Sequence, residues 1–205
     1  MMKITNQEHL DALRKEYDDN HAKFNQQVYF SRYSESSRIL KLIRVVKVKK
    51  PLDETFQTLL TMLAKDMNGN LTYYDLEDDA FYRAGTKDKK REMHLAAFHE
   101  NKEVTLKWFT PEAWISKNFR FVSKNKGKTT KIIYLEIVKS LKAKTGYLEQ
   151  IMRNNYIKAE VIRFDMQMYE LKKNLAVLSP KQVENYQIKM SSWKERLGSI
   201  RLFSK

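Results

Sequence analysis

The chain has 205 residues, of which 42% are hydrophobic and 12% aromatic, and this is enough apolar material for one sizeable core. It has no cysteine, which excludes disulfides, thiolate metal sites and cysteine nucleophiles and is typical of a reducing compartment, so we expect a cytoplasmic protein. The formal net charge of +14 favours a polyanionic partner.

The net charge is concentrated in two segments. Residues 117–144 carry nine lysines and arginines against one acid, Glu136, and residues 38–50 carry six bases and no acid. The remaining residues are neutral on balance. A localised excess of this kind predicts an electrostatic footprint for a polyanion, and nucleic acid is the first candidate.

Residues 5–31 are predicted to form an amphipathic helix. Thr5 and Glu8 have the spacing of a capping box, in which each side chain satisfies a backbone N–H of the first turn. Apolar residues then recur at intervals that fit one helical face: Leu10, Leu13, Tyr17, Phe24 and Val28. We expect this helix to cover the core or to bind a partner.

The basic segment at 38–50 is rich in β-branched residues, which favours a strand at 42–49. A short helix at 34–44 followed by a strand fits the same apolar spacing, and periodicity leaves both alternatives open. Pro51 ends this element, and Asp53 can cap a helix at 54–65. The sequence Asn-Gly-Asn that follows it predicts a turn.

Residues 71–138 are predicted to alternate short helices and strands. In chain order we expect a strand at 71–74, a helix at about 78–84, a helix at 87–99, a strand at 103–108, a helix from Thr110, a strand at 119–123 and a basic turn at 124–128. Residues 129–138 fit either a return strand or a helix.

The order of these elements resembles a winged helix-turn-helix layout. In that layout the helix at 87–99 is the recognition helix, and the basic turn with its flanking residues is the wing. The resemblance is in element order only. Arg91 and His94 fall at positions where the recognition helix usually carries buried aliphatic residues.

The C-terminal part is predicted to form a helical hairpin. Residues 147–178 contain no proline or glycine and indicate one long helix, and Ser179, Pro180 and Gln182 then start another. Apolar residues in the second helix follow a heptad seam that ends at a capping Gly198: Val183, Tyr186, Met190, Trp193 and Leu197. The seam could be internal or could bind a second chain, as a homodimer.

No arrangement of residues favours catalysis. The four histidines lack metal-ligand spacing, and the acidic run at 75–79, which could hold Mg²⁺ in a nuclease, is also expected at a helix N-terminus. Residues 127–129 read Gly-Lys-Thr, but Val122 stands where a phosphate-binding loop needs glycine. We therefore expect no enzyme, no metal and no cofactor. The first residues, MMKITNQEHL, contain no apolar h-region, and no 18-residue apolar run occurs, so we expect no signal peptide, no membrane span and no membrane partner.

These patterns predict a predominantly helical α+β protein in three segments: an N-terminal amphipathic helix at 1–35, a basic α/β module at 36–144 that could be winged-helix-like, and a C-terminal helical hairpin at 145–205. The aromatic residues of the module are more often core than a platform for stacked bases; they are Trp108, Phe109, Trp114, Phe119 and Phe121.

The function predicted from the charge is non-enzymatic nucleic-acid binding, to DNA rather than RNA, by a regulatory or accessory protein. The predicted phosphate contacts are Arg44, Lys47, Lys87, Lys89, Lys90, Arg91, Arg120, Lys124, Lys126, Lys128 and Lys131. The alternative is a protein-interaction or inhibitor module, whose basic face binds an acidic partner or the groove of a nucleic-acid enzyme.

Overall fold

One antiparallel sheet organises the molecule. The computed structural model describes residues 3–29, 37–67, 71–86, 89–141 and 146–202. The strands of the described part are β1 (Ile39–Val48), β2 (Ala80–Thr86), β3 (Lys89–His99), β4 (Glu103–Phe109), β5 (Ala113–Lys124) and β6 (Thr129–Ser140). They lie side by side in the order β1-β6-β5-β4-β3-β2, so β2 to β6 form a meander and β1 returns to pair with β6.

Helices pack against both faces of this sheet and against one another. They are α1 (Gln7–Tyr29), α2 (Leu52–Met67), α3 (Tyr147–Asn174), α4 (Pro180–Glu184) and α5 (Tyr186–Leu202), with a 3-10 turn at Tyr73–Asp75. Helices α2 and α3 pack on one face, which we call the inner face, and bury Leu59, Leu60, Phe164 and Leu171 in the main core. No helix in the described ranges is long and apolar enough to cross a membrane.

Helix α1 packs on the opposite face of the sheet, the outer face. The ring of Tyr17 meets the edges of Phe81 and Phe109, with centroids 5.1 and 4.9 Å apart. The Tyr17 hydroxyl donates to the carbonyl oxygens of Glu92 and Lys107 at 3.2 and 3.0 Å. These contacts build a second, smaller core beneath α1, on strands β2 to β4.

Buried and partly exposed side chains alternate along the strands. In β4 and β6 every second residue is buried, which is the period of a strand with one face packed on a core. The turn between β5 and β6 consists of residues 125–128, in which Asn125, Lys126 and Gly127 have φ of 51°, 54° and 88°. Glycine accepts such positive values without steric cost, and the predicted basic turn is confirmed here.

The predicted winged-helix-like, predominantly helical fold is wrong. The two helices expected at 78–84 and 87–99 are the strands β2 and β3, which pair with each other as a hairpin. The expected helix from Thr110 is the start of β5, and the expected strand at 71–74 is replaced at its end by the 3-10 turn Tyr73–Asp75. Met93 and Leu95 are buried on the inner face with His94 between them on the outer face, so the period is two rather than 3.6.

Other predicted elements are confirmed. The structure has helices at Gln7–Tyr29 and Leu52–Met67 and a strand at Glu103–Phe109, and β1 and β6 settle two open alternatives in favour of strands. Ser179 accepts a hydrogen bond from the Gln182 backbone as an N-cap, although α5 continues through Gly198 to Leu202. The predicted three-segment division stays a prediction.

The C-terminal seam packs within the chain. Tyr186 is buried and stacks on Tyr169 of α3 at 5.6 Å, and Trp193 meets the edge of the same ring at 5.5 Å. Met190 and Leu197 face a cleft shared with α2 and α3. The prediction of a homodimer through these helices is therefore wrong, because α3 occupies the face of the seam that a second chain would need.

Candidate functional site

The pairing of β5 with β6 places a lysine opposite a glutamate at the centre of the inner face. Lys117 lies opposite Glu136 in the register. The inner pairs on either side are Phe119 with Tyr134 and Ile115 with Val138. An ion pair thus sits between an aromatic pair and an aliphatic pair, beneath α3.

Helix α3 adds a second carboxylate to this ion pair. Lys117 Nζ donates to Glu160 Oε2 at 2.8 Å and lies 3.7 Å from Glu136 Oε1. Arg163, one turn further along α3, also pairs with Glu160. Glu136 is fully buried and Glu160 is 5% exposed, so two carboxylates share their cations away from bulk water.

Two tyrosines complete the coordination of Glu136. Tyr134 Oη donates to Glu136 Oε2 at 2.7 Å, and Tyr156 Oη donates to Glu136 Oε1 at 2.6 Å. Burial, followed by the charge of Glu136, raises the pKa of both phenols. Both tyrosines therefore remain protonated donors at every physiological pH. We call Lys117, Tyr134, Glu136, Tyr156, Glu160 and Arg163 the inner charged cluster.

Burial of this cluster is costly for the fold. Desolvation lowers the pKa of Lys117, and the nearby Glu136 only partly opposes that effect. A buried ion pair repays its desolvation only when hydrogen bonds satisfy the remaining groups, and apolar residues of equal volume are often at least as stabilising. Ionisable groups that are held in a cleft at this cost are candidates for a functional site.

A cavity of about 310 Å³ opens beside the cluster, between the sheet, α2 and α3. We call it the central cavity. Its apolar lining is Leu63, Met67, Met93, Leu106, Trp108, Phe119 and Phe164, and its polar lining is Asp66, Arg91, Lys117, Tyr134, Glu160, Arg163 and Gln167. Burial raises the pKa of Asp66, with a further contribution from Glu170, so this carboxyl holds its proton more readily than an exposed one.

Arg91 lies at the exposed edge of the central cavity. Its guanidinium carbon is 5.1 Å from the centre of the Trp108 ring, and Lys117 Nζ lies 5.6 Å from the same centre. Among the described residues Arg91 forms no hydrogen bond or ion pair. It is thus the lining cation whose charge no described carboxylate offsets.

A second cavity of about 320 Å³ lies near the N-terminal end of α3. Its lining includes Ile39, Leu40, Ile115, Val138 and Met152, with Tyr156. Tyr156 lines this end cavity and donates to Glu136, which pairs with a lysine of the central cavity. The end cavity is also lined by Arg38, Glu112, Glu149 and Arg153, and Tyr156 connects it to the inner charged cluster.

The predicted phosphate contacts are divided among several places. Lys47, Arg120, Lys124 and Lys131 lie on the outer face, and Lys126 and Lys128 lie in the turn between β5 and β6. On the inner side, Arg44 pairs with Asp165 of α3 at 2.8 Å, and Arg91 lies against Trp108. Lys89 and Lys90 belong to β3 by their backbone. Lys87 lies outside the described residues.

The nucleic-acid-binding interpretation is wrong, and so are the DNA partner and the alternative of an acidic protein partner. Both interpretations needed one coherent basic module. The recognition helix that would carry four of the predicted contacts is replaced by the strand β3, and Arg44 and Arg91 lie on the inner side of the sheet while Lys47, Arg120, Lys124 and Lys131 lie on its outer face.

Carboxylates of the acidic run at 75–79 form hydrogen bonds to neighbouring groups of the fold. Asp75 accepts from Thr72, Asp78 accepts from the Phe98 backbone at 2.6 Å, and Asp79 contacts His94 at 2.6 Å. No group of three histidine or carboxylate side chains suited to a metal occurs in the described part. These carboxylates hold the β2 and β3 region together.

Sequence reasoning missed the inner charged cluster. Lys117 enters the sequence analysis only as one of the nine bases of residues 117–144, and Glu160 carries no prediction at all. One signal was available: Glu136 is the sole acid of its segment and stands at a buried position in an alternating strand, TTKIIYLEIVKS. A carboxylate at such a position needs a buried partner.

Comparison with known proteins gives a likeness of fold only. No family model matches the chain, and no curated protein matches it. A solved protein from Mesorhizobium loti aligns at 9% identity over 68% of this chain and 99% of its own, with a TM-score of 0.49. A conserved protein of unknown function from Enterococcus faecalis aligns at 14% identity over 88% and 97%, with a TM-score of 0.48.

Norcoclaurine synthase from Thalictrum flavum, solved with dopamine and hydroxybenzaldehyde, aligns at 6% identity. The alignment covers 52% of this chain and 73% of the synthase, with a TM-score of 0.39. That similarity describes the architecture and carries no activity with it.

Proposed function

We propose that this protein binds a small organic ligand in the central cavity. The observation that carries the proposal is the combination of an aromatic chamber with a buried charged cluster in its wall. Ligand sites are typically concave spaces of about 300–1,000 Å³, mostly apolar, with a few fixed polar groups. The central cavity, at about 310 Å³, lies at the small end of that range.

The lining defines the chemistry of the ligand. Trp108, Phe119 and Phe164 offer aromatic surface, which favours a planar apolar body. Arg91 supplies an uncompensated positive charge at the opening, where it can bind a carboxylate or sulfonate. The ligand class that fits is a compact aromatic acid.

The cluster supports this proposal by its rigidity. Each oxygen of Glu136 accepts from one tyrosine, and Glu160 is held by Lys117 and Arg163. A network with every member satisfied fixes the wall of a cavity before a ligand enters, which lowers the entropic cost of binding. The cavity is therefore preorganised on its polar side.

Titration with an anilinonaphthalene sulfonate dye, an aromatic anion, tests the proposal. We expect saturable one-site binding to the folded protein, followed by fluorescence and by calorimetry. Leu106→Trp fills the cavity and should abolish binding, whereas Arg91→Gln should weaken binding on the order of 10-fold through loss of a charged hydrogen bond. Lys194→Gln, on the exposed side of α5, is the matched control and should change nothing.

Two outcomes would overturn the proposal. The first is unchanged affinity in Leu106→Trp, once the melting temperature and circular dichroism show that this variant is folded. The second is equal loss of affinity in Arg91→Gln and Lys194→Gln, because binding would then depend on net charge alone. Absence of enzymatic activity and a cytoplasmic location stay predictions.

A further inference from the structure

The outer face of the sheet carries an apolar patch on β1, β5 and β6. Its members are Ile43, Val45, Val122, Ile133, Leu135 and Ile137, and we call them the outer apolar patch. Ile43 is 64% exposed and Val45 is 50% exposed, and the other four are partly exposed. Ile43 pairs with Leu135 and Val45 pairs with Ile133, so the patch is continuous across the strands.

Bases surround this patch, and the three strands place no acid beside it. The bases are Lys41, Lys47, Arg120, Lys124, Lys131 and Lys139. The single acid in β1, β5 and β6 is Glu136, which is fully buried on the inner face. On the neighbouring strand β4, Glu103 lies 3.6 Å from Arg120 and offsets part of its charge.

Two of these lysines are held directly opposite each other. Lys47 of β1 pairs in the register with Lys131 of β6. Like charges at opposed positions destabilise a sheet, and within the described ranges neither lysine forms a hydrogen bond or ion pair. The arrangement becomes favourable when an anion lies between or above the two ammonium groups.

The chemistry of the patch favours an anionic lipid surface over other partners. Nucleic acid would hold phosphates against aliphatic side chains, and the patch contains no aromatic ring for base stacking. A second copy of the chain would bring the same bases together and repel. A lipid surface offers an apolar layer beneath anionic headgroups, which matches aliphatic side chains surrounded by lysines.

We infer that the outer apolar patch binds the surface of an anionic membrane. Ile43 and Val45 enter the boundary between headgroups and acyl chains, while Lys47 and Lys131 contact phosphate and carboxylate groups above it. The inference does not depend on a ligand in the central cavity, because the two sites lie on opposite faces of the sheet. It also revises the expectation that the protein has no membrane partner.

Flotation with lipid vesicles tests this inference on the full chain. We expect the protein to float with phosphatidylcholine vesicles that contain phosphatidylserine, and to stay behind with phosphatidylcholine alone. Lys47→Gln with Lys131→Gln should weaken binding about 30-fold, or about 5-fold for each lysine. Ile43→Ser with Val45→Ser should weaken it on the order of 10-fold at the same net charge. Lys181→Gln with Lys194→Gln is the control of equal charge on the C-terminal helices.

Three results would overturn the inference. One is equal binding to vesicles with and without phosphatidylserine. Another is a loss in the Lys181 and Lys194 control as large as that in the Lys47 and Lys131 variant, since the effect would then reflect net charge alone. The third is retention on duplex DNA or on polyglutamate at the same salt concentration without any binding to vesicles. Circular dichroism confirms that each variant is folded.

Discussion

Lysines on the two faces of the β5 and β6 ladder lie in opposite electrostatic environments. On the inner face Lys117 lies opposite Glu136 and also pairs with Glu160 of α3. On the outer face Lys131 lies opposite Lys47, with no described partner. The charge of Lys117 is offset by two carboxylates and is largely removed from water. The charge of Lys131 stays in contact with water and is repelled by that of Lys47.

The difference shows what each face can bind. An inner charge with two carboxylates around it contributes structure and polarity to the wall of the central cavity, which suits the small ligand proposed above. The outer bases are spread over a broad area, and Lys47 and Lys131 have no carboxylate partner among the described residues, so an extended anionic surface fits there. The total net charge of +14 counts the inner and the outer bases alike, so it does not distinguish the two environments.

The largest expected effect compares the two lysines directly. Lys117→Met should lower the free energy of unfolding by about 3–5 kcal/mol, because it leaves Glu136 and Glu160 buried with one cation fewer. Lys131→Met should change it by less than about 0.5 kcal/mol, because the site is on the surface. Urea unfolding measures both. Equal losses would contradict the assignment of the two lysines to different environments.

A smaller effect tests the hydrogen bonds of the inner charged cluster. Tyr156→Phe removes the bond to Glu136 Oε1 at 2.6 Å and should cost about 1.5–3 kcal/mol, the usual range for a bond to a charged group. Tyr147→Phe on the same helix is the control, since Tyr147 is 81% exposed. Thermal unfolding of the two variants should differ. Matching melting temperatures would show that Glu136 does not need this donor.

The part of the outer face beneath α1 should respond to pH. Burial lowers the pKa of His94 below 6.5, and Asp79 only partly opposes this. The unfolded chain therefore binds the proton more readily, so stability is full above pH 6.5 and falls as the pH drops below it. His94→Gln should flatten this slope between pH 7 and 5. Burial also lowers the pKa of His21, so part of the slope of stability against pH should remain in this variant. A slope identical to the wild type would remove His94 as its source.

The smallest effect concerns the opposed lysines of the outer face. Lys47→Glu replaces a repulsive cross-strand pair with an attractive one and should stabilise the fold by about 0.2–1 kcal/mol. The same change should weaken vesicle binding, because it removes a cation and adds an anion. Stability and vesicle binding should thus move in opposite directions. A variant that loses stability would show that the two lysines do not repel in the wild type.

Part of this architecture was predictable from local patterns. The helices α1 and α2, the strand β4, the basic turn and the Ser179 cap have strong signals, because each depends on neighbours in sequence. The strands β2 and β3 were not predicted, because residues 87–91 are mostly charged and hide the alternation that begins at Met93. Their pairing is decided by contacts with α1 and α2, which no local window contains.

The candidate site depended on a register that the sequence does not display. Lys117 and Glu136 become neighbours only because β5 and β6 pair with a four-residue turn between them. Glu160 joins them only because α3 crosses the inner face. The charge tally correctly located the strands that carry the excess of bases. It could not show that alternate residues of those strands lie on opposite faces of the sheet, one face toward the main core and the other away from it.

The most direct test of a ligand-binding inner face uses the three tryptophans of the chain. Trp108 lines the central cavity, Trp114 lies on the outer face against His21, and Trp193 lies in α5. Their indole N–H signals in a ¹H–¹⁵N spectrum report these places separately during titration with the anilinonaphthalene sulfonate dye. The account predicts that the Trp108 signal shifts and the other two stay in place. Movement of Trp114 or Trp193 with Trp108 unchanged would contradict it.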